Sequence, residues 1–320
     1  MSVLQVKDLK TYFYTEEGIV PAVDGLDFEL EKGETLAIVG ESGCGKSVTS
    51  LSILQIVPTP PGKIESGEIV YQGEDLLKKT EKEMQKIRGN EISMIFQEPL
   101  TSLNPVFTIG KQICDILRLH QKMSKKEARD RALEMLKRVR IPSAEQVIDE
   151  YPHQLSGGMR QRAMIAMALA CNPNILIADE PTTALDVTIQ AQIIHLLQEL
   201  KEGNQMSIIL ITHDMGVVAQ IAQNVLVMYA GQAVEYAGVK QIFANPLHPY
   251  TLGLLKSIPS IHDKRDELYS IKGSIPSPKE YPAGCRFSLR CEEACDKCRS
   301  QMPPLKTMPD GRKVRCWKYE

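Results

Sequence analysis

Between residues 3 and 39, apolar and polar positions alternate in short stretches. LQVKDLKTYF alternates imperfectly, AVDGLDFEL more regularly, and TLAIV (Thr35 to Val39) is an unbroken apolar run. Alternation predicts half-buried strands, and a short unbroken run predicts a strand covered on both faces. SVTSLSILQIV then takes helical spacing and stops at Pro58, SGEIVYQG reads as a strand, residues 75 to 90 as a charged helix, and EISMIFQ as another strand. From 109 to 141 the spacing is helical, and SKKEARDRALEMLKRV puts Ala128, Ala132, Met135 and Val139 on one stripe. Beyond LSGGMRQRAMIAMALA come the strand NILIADE, the helix VTIQAQIIHLLQELK, the strand MSIILIT, a helix and the strand NVLVMYA. Apolar strands separated by helices predict an α/β fold with a mostly parallel sheet. From about residue 240 proline becomes frequent and the periodicity fades, which places a boundary between residues 1–240 and an extension over 241–320. No internal repeat is visible.

Composition changes this picture little. Hydrophobic residues at 43% and charged residues at 24% of 320 are ordinary for a globular protein. A net charge of −2 gives no global argument for nucleic acid, and no nucleic-acid partner is expected. No run reaches the roughly 20 apolar residues a spanning helix needs; the best, AMIAMALAC, is about half that. MSVLQVKDLK lacks the apolar core of a secretory signal. Work at a membrane would be that of a peripheral subunit.

Chemistry enters at the bend after TLAIV. GESGCGKS fits GxxxxGK[ST] through Gly40, Gly45, Lys46 and Ser47. Glycines let successive backbone N–H groups of Gly40, Glu41, Ser42, Gly43, Cys44, Gly45 and Val48 turn toward one anion, and the following helix offers its positive end. Lys46 would reach the β- and γ-phosphates, and the Ser47 hydroxyl would bind Mg²⁺. NILIADE ends in Asp179 and Glu180, at the carboxyl end of a strand where ligands of parallel sheets sit. Asp179 would orient Mg²⁺, and Glu180 would act as general base on the attacking water. The same acids also suit a turn into the next helix through PTTALD.

Further residues complete an ordered set: Gln97 at a strand end, LSGGMRQR at Leu155 to Arg162, Asp186 in ADEPTTALD, and His213 after IILIT. Over roughly residues 3 to 240 this set resembles the ATP-binding cassette of ABC transporters. The resemblance implies two cassettes clamping two ATP molecules head to tail, each between the glycine bend of one and Ser156, Gly157 and Gly158 of the other. Gln97 would join the Mg²⁺ ligands and sense the γ-phosphate, His213 would position the water, and an aromatic, Phe13 or alternatively Tyr12, would stack on adenine. Val48 departs from the hydroxyl residue common at its position, which its backbone N–H makes a modest change.

NPLHPYTLGLLKSIP and the later PAGCRF…RC…C…C resemble the ATPase subunits of oligopeptide/dipeptide importers, a group that includes nickel importers. That likeness implies a subunit on the cytoplasmic face of the membrane, paired with a second ATPase subunit, itself or a sister, under two permease subunits served by an external peptide-binding protein. The helical segment, about 100–155, would press on the permeases. A soluble ATPase in iron–sulfur assembly or redox chemistry is the alternative.

Five of the eight cysteines crowd the end of the chain as Cys285-x5-Cys291-x3-Cys295-x2-Cys298-x17-Cys316. Clustered thiols in a chain without export signals point to metal, zinc or an iron–sulfur cluster. The importer likeness implies a [4Fe-4S] cluster on Cys285, Cys291, Cys298 and Cys316, with Cys295 left over. Arg286, Arg290 and Arg299 flank the thiols and are expected to offset the cluster's negative charge. Such a cluster would serve as a fold staple for a proline-rich tail.

Overall fold

The computed structural model describes residues 2–98, 102–182, 186–258 and 269–320. Pro99 to Thr101 of the EPLTSLNP loop, Thr183 to Leu185 of ADEPTTALD and the closing Pro259 of NPLHPYTLGLLKSIP lie outside the described residues.

In chain order the main elements are β1 (Ser2–Thr15), β2 (Gly18–Glu31), β3 (Thr35–Val39), α1 (Lys46–Ile53), β4 (Gly62–Tyr71), β5 (Glu74–Asp75), α2 (Glu81–Ile87) and β6 (Ile92–Ile95). Then follow α3 (Ile109–His120), α4 (Lys125–Arg138), α5 (Ala144–Val147), α6 (Gly157–Leu169), β7 (Ile175–Asp179), α7 (Val187–Asn204), β8 (Ser207–Ile211), α8 (Met215–Ile221), β9 (Asn224–Tyr229) and β10 (Gln232–Gly238). The last part holds α9 (Val239–Ala244), α10 (Pro249–Lys256), α11 (Asp296–Ser300), β11 (Lys306–Thr307) and β12 (Lys313–Val314).

These elements form two compact units. The first comprises Met1–Glu31, Thr35–Lys78 and Thr212–Glu320; the second comprises Lys32–Glu34 and Lys79–Ile211.

In the first unit β1 pairs antiparallel with both β2 and β4, giving the sheet β2-β1-β4-β5. The alternation read from the sequence is visible here: Leu4, Val6, Leu9, Leu26, Phe28 and Leu30 are buried while their neighbours reach solvent. The unbroken run of β3 is buried at every position and pairs in parallel with β9 from Leu36↔Asn224 to Val39↔Val227. β10 folds back on β9, and the tail adds β12 to the edge of β10 through Glu235↔Val314 and Tyr236↔Lys313.

The extension shares the core of the β3/β9 strands. Tyr250 and Phe287 pack with Tyr229, ring centroids 4.8 and 5.2 Å away, among Val39, Val227, Met215 and Val218. Cys285 and Cys291 border the same cluster. Burying three aromatic rings with edge-to-face geometry gives a strong anchor.

In the second unit β6, β7 and β8 run parallel, with every residue of each buried. The helical stretch carries its capping signals. Thr108 caps α3 through the Lys111 amide, and Ser124 with Glu127 forms a capping box at α4. The stripe Ala128, Ala132, Met135 and Val139 is buried throughout.

Candidate functional site

In the first unit the glycine bend leads from β3 into α1. Two of its glycines are required by close approach. At Gly40 (φ +155) a Cβ would lie 2.3 Å from the Met228 carbonyl oxygen, and at Gly45 (φ +103) one would lie 2.1 Å from the Ala22 carbonyl oxygen. A side chain at either position would push the loop off the strands that support it. Gly45 caps α1 with no side-chain bond to the first-turn amides of Lys46, Ser47 and Val48. Helix starts carry such orphan donors, and here they open onto the loop. Thr49, the first residue to bond back, donates to the Gly45 carbonyl at 3.0 Å.

Lys46 lies folded over the loop, its Nζ donating to the carbonyl oxygens of Gly40 (2.8 Å) and Glu41 (3.0 Å). Cys44 is buried beneath it, and burial pushes its thiol pKa up. Val39, Gly40, Glu41 and His213 share the lining of a cavity of about 250 Å³ with residues of α8 and α10. Two expected site elements far apart in sequence, the bend and His213, therefore come together. Asp214, beside His213, caps α8 by accepting from the amides of Gly216 and Val217.

Of the two aromatics, Tyr12 gives its hydroxyl to Asp24 Oδ1 at 2.8 Å. Burial, with that bond adding to it, holds its pKa up at about 12. Phe13, half-buried on β1, packs its ring edge on Gly62.

The second unit carries the acids. Asp179 closes β7 and is buried; Glu180 follows at φ +45 and donates its amide to the Ile211 carbonyl at 2.9 Å. A non-glycine residue held at positive φ is a strained position of the kind that gathers at functional sites. Gln97 donates from Nε2 to Glu180 Oε2 at 3.1 Å, so two residues far apart in sequence meet side chain to side chain. Ser156 caps the 13-residue α6 by accepting from the Met159 amide at 3.4 Å, and Ser156 and Gly157 are exposed to solvent. Asp186 likewise caps α7 through the Ile189 amide. The Ser47 hydroxyl in the first unit, and the Gln97 amide oxygen and Asp179 carboxylate in the second, are each oxygen donors of the kind Mg²⁺ accepts.

The five tail thiols, Cys285, Cys291, Cys295, Cys298 and Cys316, line a single cavity of about 210 Å³ with His248, Phe287, Ser288 and Trp317. Among the described residues, however, no group of three or more His, Cys, Asp or Glu is gathered closely enough to hold a metal ion. Burial, with the neighbouring thiols adding to it, pushes Cys285 up to about 11; burial also raises Cys291, Cys298 and Cys316. Exposed Cys295 is lowered, first by the Cys298 amide and then by the Cys298 thiol 3.5 Å away. The flanking arginines depart from expectation. Arg286 pairs with Asp24, Arg290 with Glu41, and Arg299 lies 3.8 Å from Asp296. A guanidinium follows the nearest carboxylate, and in Arg286 and Arg290 that carboxylate belongs to residues far away in sequence.

Residues 23–183 match the family model described as ABC transporter. The chain belongs to the ABC transporter family, as an ATPase whose ATP hydrolysis is coupled to transport. Residues 234–298 match a second model, the C-terminal region of oligopeptide/dipeptide transporters. The oligopeptide transport ATP-binding protein AppD of Bacillus subtilis is 58% identical over all of this chain and 97% of its own length. OppD of the same organism is 53% identical over 98% of this chain and 88% of its own. Among solved structures, the dimeric cassette MJ0796 bound to ADP and phosphate matches with a TM-score of 0.67 at 30% identity, covering 74% of this chain and 98% of that one. No helix among the described residues is long and apolar enough to cross a membrane.

Proposed function

We propose that the chain is the ATP-hydrolysing subunit of a peptide importer, held at the cytoplasmic face of the membrane by two permease subunits and fed from outside by a peptide-binding protein. The observation that carries this reading is the match of the C-terminal region, over residues 234–298, to the oligopeptide/dipeptide transporter model, joined to full-length likeness to transport ATP-binding proteins. That likeness disfavours the soluble iron–sulfur assembly or redox alternative.

Within this reading, the amides of Gly40 to Val48 cradle the phosphates, and Lys46 exchanges its two loop carbonyls for the β- and γ-phosphates. Ser47, Gln97 and Asp179 hold Mg²⁺. Glu180, steadied by Gln97, takes the proton of the attacking water, and His213 positions that water. Loss of the γ-phosphate alters what Gln97 bonds to, and this is the trigger at the root of the helical segment of about 100–155. Ser156, Gly157 and Gly158 present an open helix start to the ATP of a partner ATPase subunit, as the dimeric state of the MJ0796 cassette supports. Phe13 stacks on adenine, with Tyr12 as the alternative. Residues 1–240 form the cassette and 241–320 the extension.

The extension carries a [4Fe-4S] cluster on Cys285, Cys291, Cys298 and Cys316 in the same proposal, with zinc as the rival occupant. Support comes from the donor chemistry: five cysteines line the cavity, and the buried Ser288 hydroxyl on its wall has no hydrogen-bond partner among the described residues. An inorganic sulfide would supply the missing acceptor. Metal binding would draw the thiols together and displace protons that burial otherwise holds on them.

The test is reconstitution. Co-expressed with a candidate permease pair and placed in vesicles, the chain should drive ATP-dependent uptake of a labelled peptide mixture. Failure to co-purify with any permease, with ATPase activity indifferent to peptide-loaded binding protein, would overturn the importer reading.

A further inference from the structure

Glu41 is a carboxylate inside a loop shaped to receive anions, and left alone it would repel a triphosphate. Its backbone is already gripped on both sides: its amide donates to the Tyr250 hydroxyl at 2.9 Å, and its carbonyl accepts from Lys46. Its side chain meets Arg290, whose Nη1 lies 3.0 Å from both carboxylate oxygens. Arg290 comes from the cysteine-rich extension and its side chain is only 6% exposed. The guanidinium is fixed from its other edges. Nε donates to the Lys272 carbonyl, Nη2 to those of Ile271 and Gly273, and the Tyr229 ring lies beneath it, 5.7 Å from its carbon. A planar fork so restrained holds one geometry at little further entropic cost. At low exposure its charge is screened less than that of a surface pair.

We propose that Arg290 is a positioning residue for the ATPase reaction: it neutralises Glu41 and pins the phosphate-binding loop in the shape that admits ATP. This role goes beyond peptide transport and rests only on the Gly40–Val48 loop being the ATP cradle. Arg290 touches no reacting atom; it acts through Glu41. Tyr250, also from the extension, holds the backbone of the same residue.

The experiment measures ATP affinity and steady-state kinetics of the intact chain with Mg²⁺. Arg290→Ala should weaken ATP binding on the order of tenfold, as one uncompensated charge near the phosphates implies. KM should rise with kcat nearly unchanged, because ground and transition states lose the same interaction. Arg290→Lys should retain most of the affinity. The decisive variant is the double change Arg290→Ala with Glu41→Gln, which removes the repelling carboxylate and should recover affinity; a merely structural Arg290 would not be rescued this way. Should Arg290→Ala not fold, Arg290→Gln, which keeps donors for the carbonyls, reads the same comparison. Native affinity in Arg290→Ala or Arg290→Gln, beside a lost affinity in Lys46→Ala, overturns the role of Arg290. A double variant as weak as Arg290→Ala also overturns it. Unchanged binding in Lys46→Ala would remove the cradle reading itself.

Discussion

The glycine loop and the cysteine-rich extension belong to the same compact unit, yet they are held by different kinds of constraint. The loop is fixed by absence: no atom beyond Cα fits at Gly40 or Gly45, because the carbonyls of Met228 and Ala22 fill that space. The extension is fixed by presence. Tyr250 and Phe287 insert into the core around Tyr229, β12 joins the edge of β10, and two arginines reach the carboxylates of Glu41 and Asp24. A local motif of this kind tolerates almost nothing within itself but depends on distant residues for its supports. The extension holds the loop as well as a cavity of thiols.

Three measurements test that contrast. Glu180→Gln should keep ATP binding and lower hydrolysis by about 10² to 10⁴-fold, the usual size of a general-base contribution. The metal content and thermal stability of the extension should stay as in the native chain. Turnover near the native rate, measured by phosphate release, would remove Glu180 from its role.

Next comes Cys291→Ser, measured in protein prepared without oxygen. The native chain should hold iron and sulfide in about a four-to-four ratio, as a [4Fe-4S] cluster requires. The variant should lose both and melt earlier, while any chemistry that survives keeps its dependence on Glu180. Stoichiometric zinc without iron in the native chain would replace the cluster by a structural zinc site.

The smallest effect is graded by pH. His248 is fully buried on the wall of the thiol cavity, its Nδ1 accepting from the Tyr250 amide at 3.1 Å. Burial holds its pKa down at about 3. An unfolded chain takes up that proton near pH 6.5, whereas the folded one refuses it. The neutral imidazole therefore contributes nothing adverse above about pH 6.5, and stability falls by roughly 1.4 kcal/mol per pH unit as pH drops from there toward 3. Glu235, raised by burial, works in the opposite sense, since it accepts a proton more readily folded than unfolded. The clean reading is the difference between the native chain and His248→Gln in denaturant melts from pH 7 to 4. Parallel curves for the two would mean that His248 is open to water.

Much of the site was legible because its code is local. A loop that must bend without side chains, next to a lysine and a hydroxyl, can be written in eight consecutive residues, and helix caps such as Ser156 and Asp186 in three or four. Strand burial was legible for the same reason: TLAIV, NILIA and SIILI have no polar face, so both faces must be covered. The fate of Arg290 was not legible. Within FSLRC it borders a thiol, and only the fold reveals that its nearest carboxylate is Glu41. Nor did the faded periodicity beyond residue 240 reveal a firm anchor, since Tyr250 and Phe287 are single rings in irregular segments. Gln97 meeting Glu180 side chain to side chain belongs to the same class.

The class of chemistry and the order of strands and helices are written in the chain itself, because backbone geometry and periodic burial depend on neighbours along it. Which charges pair, which rings share a core and which thiols share a cavity is set by the folded chain alone. Those are contacts between residues tens to hundreds of positions apart, and each partner's choice depends on what the whole fold brings within a few ångströms of it.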